Sequence, residues 1–308
     1  MKNAILGYWK IFRTDGLTTA FSSFYDYYYF KYKIKKIKKN KKFEVFTHGC
    51  FMKVNPNDDG LSTELLVHGS HEPETTKFVS SLIEENMICV DVGANIGYYS
   101  TLYSKIVGHN GKVISIEPSP INFEFLKKNL ELQDFENFLL FNCACGNEQN
   151  KVKFYMDNRA NKCQIIEDKN SPHLEKNIIT IPLRKIDDII NESKVNMVDF
   201  LKIDVEGYEW YVILGAMNTI KKFKPLIQIE IHFNKLGNDL TKKILTLLQK
   251  ENYSLIYHDI DPDQRNNKSK IQKYDLNDFI EKNIDLKKIN SYKLILKNNE
   301  NSTKFFDI

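Results

Sequence analysis

Apolar positions in this chain change their period repeatedly, and the changes mark out its elements. Met87–Val92 is an apolar run broken by Asp91, which fits a strand buried on both faces. Gly93 and Gly97 then turn the chain, and Tyr98–Val107 is helical in pattern until Gly108-His109-Asn110-Gly111 stops it. Lys112–Glu117 reads as a second strand, and Ser119-Pro120 opens a helix running to about Leu132, with proline at its first position. Further strands are expected at Phe138–Ala144, Lys151–Met156, Asn177–Leu183, Met197–Asp204, Pro225–Phe233, Tyr253–His258 and Tyr292–Leu296. Helices are expected at Pro73–Glu85, Lys185–Ile190, Tyr208–Phe223, Leu240–Lys250 and around Leu276–Ile280. Ahead of them, Phe43–Thr47, Phe51–Val54 and Glu64–Val67 read as a small antiparallel sheet. Asn158–Lys176 is a candidate mobile loop, and Asp259–Lys270 is a polar excursion. Such alternation of strand and helix implies right-handed crossovers and an α/β fold built on a doubly wound, mostly parallel sheet.

A β-turn-α-β unit with glycines in its first turn and a carboxylate closing its second strand binds a nucleoside at the strand ends. Here the turn reads D-x-G-x-N-x-G, with Asp91, Gly93, Asn95 and Gly97, and Glu117 follows Asp91 by 26 residues. A dinucleotide turn presents bare amides to a pyrophosphate. Asn95 in place of the second glycine, and an anionic Asp91 before the turn, suit an ammonium-bearing nucleoside instead. S-adenosylmethionine (SAM) is such a ligand, and Glu117 can accept both of its ribose hydroxyls. The other predicted strand ends bring Asp204, Glu206 and His232 to the same crevice. These are the candidate catalytic residues: His232 as a base for an acceptor hydroxyl, with Asp204 or Glu206 orienting it or holding the acceptor. A divalent cation among Asp204, Glu206 and Glu230 is chemically conceivable, but no metal is assigned.

Composition narrows the setting. No apolar run reaches the roughly 18 residues of a membrane span. The start lacks the basic-apolar-small order of a leader, so a cytoplasmic location is expected. Five cysteines without C-x-x-C spacing read as reduced core or pocket thiols. The net charge of +4 is uneven: residues 1–42 hold eleven Lys or Arg against Asp15 and Asp26, giving +9 there and −5 elsewhere. Lys31–Lys42 carries eight lysines in twelve residues, just after an aromatic cluster from Phe21 to Phe30. A solvated linker is the plain reading, peripheral contact with an anionic membrane the next, and nucleic acid the last.

The runs VDVGANIG (Val90–Gly97), IEPSP (Ile116–Pro120), LKIDVEGYE (Leu201–Glu209) and IQIEIH (Ile227–His232) together resemble the FkbM family of SAM-dependent methyltransferases. The resemblance implies a class I methyltransferase with a seven-stranded sheet whose last strand is antiparallel. It implies O-methylation of a sugar, polysaccharide or secondary-metabolite hydroxyl. It further implies that Asp91, Gly93, Asn95 and Gly97 face the methionine end of SAM, Glu117 the ribose, and Asn142–Ala144 the adenine. The chain then divides into an aromatic, Lys-rich appendage (1–42) and a lead-in of small β and helix (43–84). The SAM-binding domain (85–258) and a C-terminal excursion, helix and last strand (259–308) follow. Two alternatives stand beside this reading: an NAD-dependent oxidoreductase on a similar sheet, and a non-catalytic SAM-binding partner protein at a membrane surface.

Overall fold

A strand covered by helices on both faces has to be apolar at almost every position, and the central strands here meet that demand with few exceptions. The computed structural model describes residues 43–157, 159, 163–166, 177–260, 270–274 and 291–300, with Tyr32, Ile34, Lys35, Leu276 and Phe279. The rest of the 1–42 appendage, most of Asn158–Lys176 and most of the polar excursion after Asp259 lie outside the described residues.

From residue 43 the described chain forms a hairpin, β1 (Glu44–Thr47) and β2 (Cys50–Lys53), then α1 (Leu61–His68) and α2 (Pro73–Ser80). The first nucleoside-type unit is β3 (Ile88–Val92), α3 (Tyr98–Val107) and β4 (Lys112–Ile116), followed by α4 (Pro120–Glu131) and β5 (Phe138–Phe141). An insertion follows: β6 (Ala144–Cys145), β7 (Asn150–Tyr155), β8 (Gln164–Ile165) and β9 (Ile178–Arg184). After α5 (Ile186–Glu192) come β10 (Phe200–Ile203), α6 (Glu209–Leu214), α7 (Met217–Phe223) and β11 (Leu226–Ile231). The chain then runs through α8 (Phe233–Lys250), β12 (Tyr253–Ile260), β13 (Lys270–Tyr274) and β14 (Tyr292–Asn298).

Among the described residues the main sheet has eight strands in the order β13-β12-β14-β11-β10-β3-β4-β5. The five from β11 to β5 are mutually parallel, and β14 enters antiparallel between β11 and β12. The expected seven-stranded sheet with an antiparallel last strand is therefore present, and β13 adds an eighth strand to the edge by pairing with β12. Side chains of alternate residues enter two apolar layers. Val90, Ile114, Leu201 and Ile227 pack on one side, and Cys89, Val113, Phe200 and Leu226 on the other. The chain leaves β3 toward β4 in one direction and returns at β10 on the opposite side, so the strand order reverses between β3 and β10. A crevice forms at such a reversal.

Local chemistry explains where sequence patterning and structure part. Glu64–Val67 is not a strand but lies in α1, where Leu61 and Leu65 fall on one buried face. Asp58 ties down that helix start, accepting from the amides of Gly60 and Ser62 at 2.7 and 2.8 Å. α2 ends at Ser80, five residues short of the expected Glu85. Residues 208–223 form two helices rather than one. Gly215 lies so close to the insertion that a Cβ there would sit 1.9 Å from the Gly146 carbonyl oxygen. Asp187 takes over the start of the second helix, accepting from the amides of Asn218 and Thr219 and from the Thr219 hydroxyl. Finally, Phe138–Ala144 does not continue as one strand. β6 leaves the main sheet and pairs with β9 in a four-stranded insertion sheet, order β6-β9-β7-β8.

Candidate active site

The exceptions to apolar patterning lie in register. Ser115, Asp91, Lys202 and Gln228 are neighbours across β4, β3, β10 and β11. All four are buried. Asp91 Oδ1 lies 3.2 Å from Lys202 Nζ, and Ser100 donates to Oδ2 at 2.7 Å. Burial by itself would depress the Lys202 pKa, but Asp91 and then Asp204 hold it above the ordinary lysine range. Lys202 also points at the Gly93 carbonyl, 3.5 Å away. This corrects the expectation for Asp91: its carboxylate lies beneath the glycine turn, neutralised by Lys202, and does not line the crevice. Alternation placed it on the strand, but only the register showed which cation stands beside it.

Above this row opens a cleft of about 940 Å³, solvent at its mouth included. Its floor is the turn Gly93-Ala94-Asn95. Gly93 (φ 80°) runs against β10 so closely that a Cβ would sit 1.8 Å from the Asp204 carbonyl oxygen. Asn95 adopts a left-handed backbone (φ 54°), which Asn tolerates better than most side chains. Gly97 (φ 89°) caps α3 and packs on Leu126, outside the cleft lining. Glu117 closes β4 and lines the cleft. Its Oε2 accepts from the Asn95 amide at 2.8 Å and its Oε1 from the Ser119 amide at 2.9 Å. Burial pushes its pKa up to about 7, against the pull of those amides and of Asn122. Cys143 and Ala144 form the wall beyond Glu117, whereas Asn142 turns aside to donate to the Glu117 carbonyl at 2.8 Å. All five cysteines are free and buried.

Asp204 and Glu206 line the opposite wall. Glu206 (φ 58°) and Gly207 (φ 102°) form a left-handed turn, which the glycine in the sequence suggested and the glutamate did not. His232 stands behind that wall and does not line the cleft. Its Nδ1 lies 2.7 Å from Glu209 Oε1, and its Nε2 3.3 Å from Glu206 and 3.6 Å from Glu230. Burial opposes a charge on the ring, but hydrogen bonds to Glu206 and Glu209, with the charges of Glu209 and Glu230, hold its pKa well above the usual range. Because its ring lies behind the wall among three carboxylates, His232 does not reach the cleft directly, as its expected role as the proton-accepting base would require. Glu206 is held low, against burial, by His232 and Lys235, the latter 2.7 Å away.

Asp204, Glu230 and His232 bring one ligand atom each within 4.8 Å of one another, a spacing that could take a cation. Lys202 stands 3.6 Å from Asp204 and Lys293 3.6 Å from Glu230, so the cluster is neutralised from within.

Patterning missed the third wall, contributed by α1 and the loop before α2. His71 lines the cleft with its Nδ1 and Nε2 each 2.8 Å from carboxylates, those of Glu64 and Glu72. Burial disfavours its charge, yet Glu72 and Glu64 raise it to about 10. Lys293 joins Glu72 to Glu230. The only sequence signal was His71-Glu72 before Pro73, and charged residues ahead of a helix are too common to single out. Glu209 was inside the quoted LKIDVEGYE run, but its inward orientation depends on the Gly207 turn, whose amide it accepts at 2.9 Å.

The donor set fits SAM. A buried carboxylate for a ribose diol, a backbone turn at the strand ends and an acidic wall for a cationic centre all face one cleft. Comparison with known proteins agrees. Residues 91–255 match the sequence model of the methyltransferase FkbM domain. Methyltransferase 1 of Beauveria bassiana is 26% identical over 187 residues, covering 56% of this chain and 74% of that protein. Hexuronic acid methyltransferase AglP of Haloferax volcanii is 24% identical over 172 residues, covering 56% of this chain and 66% of that protein. The methyltransferase FkbM crystal structure from Methylobacillus flagellatus KT superposes with TM-score 0.37 and 22% identity, over 61% of this chain and 49% of that one.

Proposed function

This chain belongs to the FkbM family of SAM-dependent methyltransferases, and from that premise we propose that it methylates a hydroxyl of a carbohydrate-containing or secondary-metabolite acceptor. The family assignment sets aside the oxidoreductase alternative. The observation that carries the proposal is that Asp204 and Glu206 face the same cleft as Gly93, Asn95 and Glu117. A sugar acceptor is further supported by the hexuronic acid methyltransferase among the relatives.

When bound, SAM supplies a methyl group already activated by its sulfonium. What remains for the protein is placement and removal of one proton. In this reading Glu117 holds the ribose, while the turn at Gly93 and Asn95 receives the methionine portion. Asp204 and Glu206, the wall carboxylates, hold the acceptor hydroxyl, and Asp204 takes its proton, since His232 and Lys235 hold Glu206 low. His232 braces Glu206 and Glu230 from behind, its Nε2 3.3 and 3.6 Å from them, and Glu209 fixes the ring by its short contact to Nδ1. Its part is therefore positioning.

The test is transfer of a radiolabelled methyl group from SAM to a panel of glycans and glycosides, followed by mild alkali. A label that survives alkali is expected, as for a methyl ether. A label released as methanol would mean a carboxyl ester and overturn the hydroxyl acceptor. His232→Gln is expected to slow transfer about tenfold or more while the affinity for S-adenosylhomocysteine (SAH) stays as in the wild type. An undiminished rate would remove His232 from the catalytic arrangement.

A further inference from the structure

The cleft offers a ligand more hydrogen-bond acceptors than donors, and that imbalance bears on what it can take. Among the described residues two cations line it, His71 and Lys202. Neither has a proton left to give. Both ring nitrogens of His71 meet carboxylates, those of Glu64 and Glu72, at 2.8 Å. The Lys202 ammonium faces Asp91, the Gly93 carbonyl and Asp204 at 3.2, 3.5 and 3.6 Å. An ammonium has three N–H groups, and these partners engage all of them. The two cleft tyrosines are occupied as well: Tyr98 donates to the His71 carbonyl at 3.0 Å, and Tyr99 to Glu72 at 3.1 Å. Asn95 keeps a side-chain N–H₂, but it stands at the turn assigned above to the methionine portion of SAM, whose own carboxylate can take it.

Acceptor atoms are in surplus. Glu64, Asp204 and Glu206 line the cleft, and each meets its cationic partners through a single oxygen. Glu64 Oε2 faces His71, Asp204 Oδ2 faces Lys202, and Glu206 Oε2 faces His232 and Lys235. The second oxygen of each carboxylate carries lone pairs for a ligand. Glu64 is the most open of the three, its side chain 39% exposed against 28% for Asp204 and 19% for Glu206. It comes from α1, outside the residues 91–255 matched by the family model.

Such a lining discriminates by charge. A hydroxyl that donates finds a carboxylate on either wall. A ligand carboxylate finds like charge and no N–H to replace the water it leaves, so its desolvation goes uncompensated.

We propose that the cleft selects an uncharged acceptor with at least two hydroxyls and turns away sugars that carry a carboxylate, with Glu64 as a specificity-determining residue. This rests on the methyltransferase reading above and names the class of acceptor within it. Asp204 takes the proton of the reacting hydroxyl. Glu64, on the facing wall, accepts from a second hydroxyl of the same molecule and so fixes its orientation.

The experiment incubates the full chain with radiolabelled SAM and a carbohydrate extract that contains both neutral sugars and uronic acids. The products are hydrolysed in acid and the labelled units separated by electrophoresis at neutral pH. The label is expected in units that do not migrate. Label in a migrating uronic acid overturns the proposal, and so does protein that binds SAH but labels no unit. With the labelled neutral acceptor, Glu64→Gln is expected to raise the acceptor KM about tenfold, more than it lowers kcat. Its SAH affinity should match wild type, which shows that the variant is folded. Glu64→Asp, which keeps the charge, is expected to recover part of the KM loss. An acceptor KM that does not move in Glu64→Gln overturns the role of Glu64. Failure of wild-type protein to bind SAH would instead sink the methyltransferase reading itself.

Discussion

Lys202→Met is expected to cost about 3–5 kcal/mol of stability, among the largest effects available to a single substitution in this protein. Asp91 is fully buried, and its Oδ1 has the Lys202 ammonium at 3.2 Å as its partner. Removing the cation leaves a carboxylate that the folded state must keep out of water with Ser100 as its remaining donor. A pair of this kind adds little over an apolar replacement of both members, while breaking it strands a charge. The double variant Asp91→Asn/Lys202→Met is therefore expected to recover most of the loss. Urea unfolding followed by circular dichroism measures both. A single variant as stable as wild type would show that Asp91 draws its compensation from elsewhere.

The second large effect is on cofactor affinity. Glu117→Gln is expected to weaken SAH binding by on the order of 1–3 kcal/mol, the range for hydrogen bonds to a charged group. Isothermal titration would read it, and unchanged affinity would detach Glu117 from the ribose. The pH dependence is a sharper signature. Burial raises the Glu117 carboxyl from 4.5 to about 7 in the free protein, and the carboxylate is the form that can accept from both ribose hydroxyls. Affinity should therefore rise with pH toward about 7, by up to about tenfold per unit, and level off above. Glu117→Gln should flatten this profile.

The stability of the unliganded protein should move the opposite way. Folded Glu117 keeps its proton up to about 7, while the unfolded chain releases it near 4.5. Between those values the folded state binds more protons, so this residue's contribution to stability falls as pH rises. A wild-type unfolding profile that shows no such fall relative to Glu117→Gln would place the carboxyl near its ordinary range.

These two residues also show how much could be read before folding. Asp91 and Glu117 were both legible as carboxylates at strand ends in a glycine-turn unit. Only Glu117 lines the crevice, because it follows directly on the last residue of β4. Asp91 lies one residue earlier on its strand than β3's last residue, Val92, and that places it in the polar row. The same limit applies to His232. Its position at the end of β11 followed from the alternating run Ile227–Ile231, but its carboxylate partners come from the turn after β10 (Glu206), from α6 (Glu209) and from β11 itself (Glu230).

By itself, the sequence determined what is local or periodic. The apolar runs specified strands buried on both faces, the Ser119-Pro120 pair specified a helix start, and the four quoted runs identified the methyl-donor chemistry. Tertiary structure decided whatever depends on which strands become neighbours. The register of β3 against β10 paired Asp91 with Lys202, and the close approach of Gly215 to Gly146 broke a helix that periodicity had drawn whole. The folding of α1 and its loop onto β14 and β11 supplied a histidine wall from outside the matched domain. The physical reason is the same throughout: helical and strand periods are fixed by backbone geometry within a few residues, whereas the state of a buried charge is fixed by whichever group, however distant in sequence, is packed against it.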